Sequence, residues 1–253
     1  MAIARTAEVI AFCDELLDST SFDDWSPNGL QVFGASETGM VVTGVSARLE
    51  LFERAAELGA GLVIAHHGIL HGAGGPIDRL QGERLKALLL PGIALAQYHL
   101  PLDAHPTIGN NALLAEGLGA TIAGRCCPVR GREIGVVAEF PGGIPAAELV
   151  ERVERLCANP PLALLEGPDM VRRIAIVSGA ASGEVSTVAA LGLDGLLTGA
   201  PSESSVPLAA EAGIHLICAG HHATETFGIS RLGDAVAERF GIEHRFIDIP
   251  NPV

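Results

Sequence analysis

MVVTGVSARLELFERAAELGAGLVIAHHG, residues 40–68, decides the fold class. MVVTGV (40–45) is a short apolar, β-branched run that reads as a buried strand. LELFERAAEL (49–58) reads as a helix stopped by Gly59. GLVIA (61–65) is the next buried strand. Strand, helix and strand within about 25 residues form a βαβ unit and predict a parallel sheet.

The same grammar extends outward. Residues 6–17 carry apolar side chains at Val9, Ile10, Phe12, Cys13, Leu16 and Leu17, one face of a helix. DDWSPNGLQV (23–32) is rich in turn formers. In the second half, EIGVVAEF (133–140) alternates like a strand, and Leu149, Val150, Val153, Leu156 and Cys157 mark a helix face. RIAIVS (173–178) reads as a strand, Glu184 to Leu191 as a helix ending at Gly192, and GLLTG (195–199) as a strand.

The halves also match residue by residue. AELGAGLVIAH (56–66) aligns with AALGLDGLLTG (189–199), and GIALAQYH (92–99) with GIHLICAGH (213–221), one residue inserted. Each then continues as His, three residues, acid: His99 to Asp103 and His221 to Glu225. Helix-ending glycines, Gly119 and Gly241, follow sixteen residues after the acids. The expectation is an α/β protein of two similar lobes with mostly parallel sheets. The first covers 1–126, completed by 243–253, and the second covers 127–242. Open parallel sheets bind ligands beyond the carboxyl ends of their strands, which places the site in the cleft where two such lobes face each other.

Composition narrows the function. The 253 residues are 48% hydrophobic and 18% charged, enough apolar material for a sizeable core. Acids outnumber bases 30 to 16, a net charge of −14. That sign argues against nucleic acid as a main partner and against an anionic membrane surface. Mean hydropathy is +0.37, yet no window reaches a spanning length of roughly 18 apolar residues. The N-terminus gains Asp14 and Glu15 where a signal peptide stays apolar, so a cytoplasmic location is expected. The five cysteines have no CxxC spacing and read as reduced core thiols.

Histidine placement is the main chemical signal. Of nine histidines, His66-His67 end the strand GLVIA, while His99 with Asp103, and His221 with Glu225, follow the strands IALAQY and IHLICA. Three strand ends thus bring imidazole or carboxylate to one edge of a sheet. Imidazole and carboxylate together suit transition metals such as Zn, Mn, Fe or Co. Several histidines and two carboxylates exceed the needs of one ion, and carboxylates can bridge two. Consecutive strand residues point to opposite faces, so both His66 and His67 reach one cluster only if the chain turns there, a turn Gly68 allows. His71, His105, His215 and His244 read as surface residues or as neighbours of ligands, and His222 as a neighbour. SGAASGE (178–184) is a strand-to-helix turn whose N–H groups suit an anion, though an ordinary turn explains it as well. Asn28-Gly29-Leu30-Gln31 has no role that sequence physics alone assigns.

WSPNGLQV, AHHG, YHLPLDAH with GNNALLAEGLG, and AGHHATET with FGISRLGDAVAERFG together resemble the NIF-three-like dinuclear metal family, also called the GTP cyclohydrolase 1 type 2 family. The resemblance runs from about residue 6 to the C-terminus. It implies two similar α/β lobes with a metal pair between them, assembled as a ring-shaped homohexamer. It places the metal ligands on His66, His67, Asp103, His221 and Glu225, with His99 beside them but off the metal. It implies two divalent ions (Zn, Fe, Mn, Co or Ni). The chain departs from the family at Ser46-Ala47-Arg48, where an Asp-Ala-Thr-like turn is usual, and at Thr198-Gly199-Ala200-Pro201-Ser202-Glu203, where Thr-Gly-Glu is common. Both departures bear on substrate preference.

The functional expectation is a metal-dependent hydrolase of a nucleotide-like or other small anionic substrate, with ring-opening hydrolysis of GTP implied by the resemblance. The rival is a non-enzymatic metal-binding ring for storage, delivery or sensing, or an interaction scaffold. A dinucleotide-cofactor module is disfavoured because no GxGxxG follows a strand, and a thiol enzyme because no cysteine sits beside the histidines.

Overall fold

The structure, a computed structural model, describes residues 2–70 and 76–253. It divides into two compact units, one of residues up to Leu102 with Gly228–Ile249, the other of Asp103–Phe227 with Pro250–Val253.

The first unit is built on a five-stranded sheet in the order Glu243–Phe246, Met40–Ser46, Leu62–His67, Ala94–Gln97, Gly29–Val32. The first four are parallel and Gly29–Val32 is antiparallel. Val42, Val63 and Leu95 pack with Leu51, Phe52 and Ala55 of the helix Leu49–Glu57, and with Leu88 of Arg79–Leu89. The helix Thr6–Leu17 forms where its apolar spacing predicts.

The second unit holds a six-stranded sheet in the order Thr121–Val129, Arg132–Pro145, Met170–Val177, Gly195–Thr198, His215–Cys218, Leu162–Leu164. Its middle strands, Met170–Val177, Gly195–Thr198 and His215–Cys218, are parallel, and the flanking pairs are antiparallel. Alternation along the strand decides which face each residue serves. Ile174 and Ile176 pack with Leu149 and Val153 on one side, while Ala175 and Val177 pack with Val185 and Val188 on the other.

The internal repeat is visible in topology. In each unit three successive parallel strands are joined by helices, and the third takes an antiparallel neighbour: Ala94–Gln97 takes Gly29–Val32, and His215–Cys218 takes Leu162–Leu164. On the far side the repeat breaks, because Met40–Ser46 gains the parallel Glu243–Phe246 whereas Met170–Val177 gains the antiparallel Arg132–Pro145.

One expectation is corrected. The first unit ends at Leu102 rather than 126, because the strand Thr121–Val129 pairs along Arg132–Pro145 in the second sheet. It also takes back the chain from Gly228, which includes most of the helix Thr226–Phe240. The helix expected over 184–191 forms as Val185–Ala190, entered through a 3-10 turn, Ser182–Glu184.

Candidate metal centre

The first unit brings three imidazoles together. His66 and His67 end the strand Leu62–His67, and His99 lies two residues beyond Ala94–Gln97. The ring centroids stand 4.6 Å (His66–His67), 5.1 Å (His66–His99) and 5.3 Å (His67–His99) apart. One ligand nitrogen of each lies within 4.8 Å of the other two.

Two of these rings have their tautomer fixed. His66 Nδ1 is 2.9 Å from the Tyr98 carbonyl, which can only accept, so Nδ1 carries the proton and Nε2 the lone pair. Tyr98 is itself fully buried, its hydroxyl donating to Asp14 Oδ1 (3.0 Å) and the Ile10 carbonyl (3.2 Å). His99 Nδ1 faces Asp24 Oδ1 at 2.9 Å, which likewise leaves Nε2 as the ligand nitrogen.

The DDWSPNGLQV loop holds this cluster. Asp24 also accepts from Asn28 Nδ2 (3.0 Å) and the Leu100 N–H (3.1 Å), and Asn28 Oδ1 accepts from the His99 N–H (2.8 Å). Gln97 Oε1 accepts from the Gly68 N–H (2.7 Å), Ser26 Oγ (2.8 Å) and Gln31 Nε2 (3.0 Å), and Gln31 Oε1 accepts from the Ile69 N–H (2.9 Å). Gly68 therefore acts differently from the turn that the sequence suggested. The strand runs through His67, whose backbone still registers with Ser46, and Gly68 has no positive φ. Pairing with the neighbouring strand stops at Ala65–Gln97, so the last two residues are freed from one side and their rings converge. The missing Cβ at Gly68 makes room for the amide oxygens of Gln31 and Gln97.

The second unit brings buried carboxylates and one imidazole. Asp103 and Glu225 are 5% and 2% exposed, with a ligand oxygen of one within 4.8 Å of a ligand oxygen of the other. Asp103 Oδ1 accepts from Asn110 Nδ2 (2.7 Å) and Ser178 Oγ (3.0 Å). Asn111 links Asp103 O, Ile134 O and the Ser178 N–H. Glu225 Oε1 lies 3.2 Å from His221 Nε2. Gly179, at φ +70°, closes over this pair, since a Cβ there would stand 2.5 Å from Glu225 Oε1. Burying ionised carboxylates is costly unless cations meet them. These donors, imidazole lone pairs and carboxylate oxygens without thiolate, fit a divalent transition metal.

The remaining expectations divide. In the turn 178–184 the N–H groups of Ser178, Gly179 and Ala181 already donate to Asn111 Oδ1, Thr224 Oγ1 and Thr198 Oγ1, the bonding of an ordinary turn. His215 and His244 are structural rather than surface residues. His215 is 2% exposed, with Nε2 2.9 Å from the Pro168 carbonyl, and His244 bridges Thr43 Oγ1 and Asp234 Oδ1, each at 2.8 Å. His105 Nδ1 accepts from the Ile108 N–H (3.1 Å), and His222 joins no candidate metal group among the described residues. His71 lies outside the described residues. Glu203, in the lengthened loop, is exposed. All five cysteines are buried and unpaired, none in a candidate metal group among the described residues. The sequence reading missed Asp24, Ser26, Gln31, Gln97, Asn110 and Ser178. The signal available was the density of amide and acid side chains in DDWSPNGLQ and GNNA, more than turns require.

Fold and donors define the class: an α/β protein of two units on one repeated strand plan, with candidate metal-binding groups at strand ends. The chain belongs to the Duf34/NIF3 (NGG1p interacting factor 3) family, whose model matches residues 4–252. It is 40% identical over 253 residues, all of both chains, to the GTP cyclohydrolase 1 type 2 homolog of Pseudomonas aeruginosa. It is 39% identical over 250 residues to that of Escherichia coli K12, covering 98% of this chain and 99% of that one. Among solved structures it resembles protein ybgI, described as of unknown function, with TM-score 0.94 and 38% identity over 99% of this chain and 100% of that one. TTHA1606 from Thermus thermophilus follows the same fold with TM-score 0.87 and 33% identity, covering 99% and 100%. Among the described residues no helix is long and apolar enough to cross a membrane.

Proposed function

We propose that this chain is a dinuclear metal-dependent hydrolase of a nucleotide-like or other small anionic substrate, with His66, His67, Asp103, His221 and Glu225 holding two divalent ions. The observation that carries the reading is the donor set: converging imidazoles in one unit, the tautomer of His66 fixed, and in the other two nearly inaccessible carboxylates, Asp103 and Glu225, the latter beside His221. A pair of such ions supplies Lewis acidity and lowers the pKa of water toward neutrality. The protein's part is to hold the donors. Tyr98 O sets the His66 ring, Asn110 and Ser178 orient Asp103, and Gly179 leaves space for Glu225. The names of the Pseudomonas and Escherichia relatives point to GTP as the first substrate to try.

The family resemblance adds a homohexameric ring, and the N-terminus and reduced cysteines add a cytoplasmic location, to this reading. Phe33 (78% exposed), Leu80 (71%) and Leu90 (84%) are the kind of surface apolar groups a subunit contact covers.

The test is elemental analysis of protein purified without chelators, followed by a turnover screen of nucleotides and phosphoesters. About two ions per chain and turnover of some substrate, both lost in Glu225→Ala, are expected. Stoichiometric metal with no turnover across the panel would overturn the hydrolase and leave the metal-storing or scaffold ring.

A further inference from the structure

We propose that Cys126 and Cys127 are a peroxide-sensing pair: a peroxide oxidises Cys126, and Cys127 closes on it as a reversible vicinal disulfide. Both lie in the second unit, and the proposal stands whether or not the metal reading above does.

Neighbouring residues of a strand point to opposite faces. Cys126 and Cys127, inside the strand Thr121–Val129, do not: both pack in the cluster of Val137, Val177, Val185 and Val188. The cause is Cys127, held at φ +57° in the left-handed region that L side chains avoid. Among the described residues, the other non-glycine residues with positive φ are Asp18 and Ala158 at helix ends and Arg130 in the turn to the next strand. Cys127 alone holds that conformation within a strand. The strained backbone brings the two thiols into hydrogen-bond contact. Opposite Cys126 stands Gly135, where a Cβ would come 3.1 Å from Cys126 Sγ, so the glycine leaves the sulfur its room.

The surroundings divide the roles. The hydrogen bond that Cys127 donates is the largest influence on Cys126 and, with the Arg125 charge, holds its thiol below the ordinary range against burial, Glu133 and Glu184. The same bond pushes the Cys127 thiol up. Arg125 Nη1 is buried and meets no hydrogen-bond acceptor among the described residues, which leaves its charge for the anion that forms at Cys126. Cys126 is therefore the attacking thiolate and Cys127 the resolving thiol. The Cys126 sulfur attacks one oxygen of hydrogen peroxide, the O–O bond breaks, and the departing hydroxide takes up the proton that Cys126 lost, as water. The Cys127 sulfur then attacks the Cys126 sulfenic sulfur and expels hydroxide, which takes the Cys127 proton as a second water. Two thiols are oxidised, one peroxide is reduced, and a dithiol reductant reverses the step. Adjacent Cα atoms are about 3.8 Å apart, closer than the roughly 4.4–6.8 Å of ordinary disulfides, so the bond is strained and readily reduced. At 2% and 0% exposure the pair shuts out bulky disulfide reagents, and a peroxide is the oxidant small enough for it.

The test uses reduced, metal-stripped, full-length protein exposed to hydrogen peroxide, quenched in acid, unfolded, alkylated and digested for mass spectrometry. In wild type the segment holding Cys126 and Cys127 is expected to lose two hydrogens and escape alkylation, while Cys13, Cys157 and Cys218 are alkylated in full. Dithiothreitol restores alkylation of the pair. Cys127→Ser leaves Cys126 as a sulfenic acid that dimedone traps, and Cys126→Ser leaves Cys127 a free thiol. Arg125→Gln slows closure about tenfold near neutral pH, and Arg125→Lys recovers most of the rate. The wild-type digest decides even if a variant fails to fold. A pair recovered fully alkylated, after peroxide sufficient to oxidise free glutathione, overturns the proposal, as does a disulfide joining either residue to another cysteine. Oxidation of Cys127 in Cys126→Ser at the wild-type rate overturns the division of roles, and an unchanged rate in Arg125→Gln overturns the part given to Arg125.

Discussion

The Asp24 carboxylate holds the His99 imidazole, Oδ1 to Nδ1, at 2.9 Å from a position almost sealed from solvent. Burial alone pushes the Asp24 carboxyl up. The hydrogen bonds from His99, Asn28 and the Leu100 N–H outweigh it and hold the group below the usual carboxylate range. The loop is therefore organised around an ionised Asp24.

Replacing Asp24 by alanine strands those donors. Asp24→Ala is expected to cost about 2–4 kcal/mol of stability, since each buried group left unpaired costs about 1–3 kcal/mol. Asp24→Asn, which keeps an acceptor oxygen and the volume, costs less than half as much. Urea unfolding of chelator-treated protein measures both, and a wild-type midpoint for Asp24→Ala would refute this account of the loop.

Gly68 offers a test of what holds the His66-His67 strand end. A Cβ there would stand 2.5 Å from Gln97 Oε1 and collide with Gln31 Oε1, the two groups that anchor the Gly68 and Ile69 N–H groups. Gly68→Ala is expected to cost about 1–3 kcal/mol by overpacking and to weaken metal binding. Gly59→Ala is the control. At φ +73° with nothing within 4 Å of a Cβ, it costs about 1–2 kcal/mol through backbone strain and leaves metal binding unchanged. Equal metal affinities in the two variants would show that the glutamine clamp does not position the histidines.

Much of this was legible in the sequence. The helix Thr6–Leu17 and the strands Met40–Ser46, Leu62–His67 and Gly195–Thr198 follow from apolar periodicity and from glycines at helix ends, because buried parallel strands and amphipathic helices must look that way. The gathering of His66, His67 and His99 followed from strand ends. The return of the C-terminal strand to the first sheet was expected, but the boundary at Leu102 and the inclusion of the chain from Gly228 were not legible, since packing between distant segments leaves no local periodicity. The grip of Asp24, Gln31 and Gln97 was hidden for a related reason. Polar side chains in a turn-rich loop read as solvent-facing until the fold shows which N–H groups they reach.

Glu225 makes a prediction whose sign reverses with metal. In metal-free protein its carboxylate is 2% exposed and lies near Asp103, so charge is buried at a cost. Glu225→Gln should therefore raise the thermal midpoint of the stripped protein. In the presence of Zn²⁺ or Co²⁺ the order inverts, because wild type gains stability as RT ln(1 + [L]/Kd) and the variant loses most of that gain. Thermal unfolding with and without metal measures both. A variant less stable than wild type under both conditions would argue that Glu225 is held by protein hydrogen bonds, not by a cation.

Cys157 and Cys218 give a pH dependence of definite sign. Burial pushes the Cys218 thiol up to about 11 and the Cys157 thiol up to about 12, from an ordinary 9.0. A group with a raised folded-state pKa contributes stability that is fully present below its unfolded value and lost as pH rises through the folded value. Stability should therefore hold at neutral pH and decline between pH 9.0 and about 12, as the unfolded chain ionises thiols that the core keeps neutral. Cys157→Ala removes one such group, so its urea midpoint should fall less steeply over that range than that of wild type. Native protein near neutral pH should leave all five thiols unreactive toward a disulfide reagent, and denatured protein should expose all five. A Cys157→Ala curve parallel to wild type through pH 12 would show that other groups set the alkaline limit.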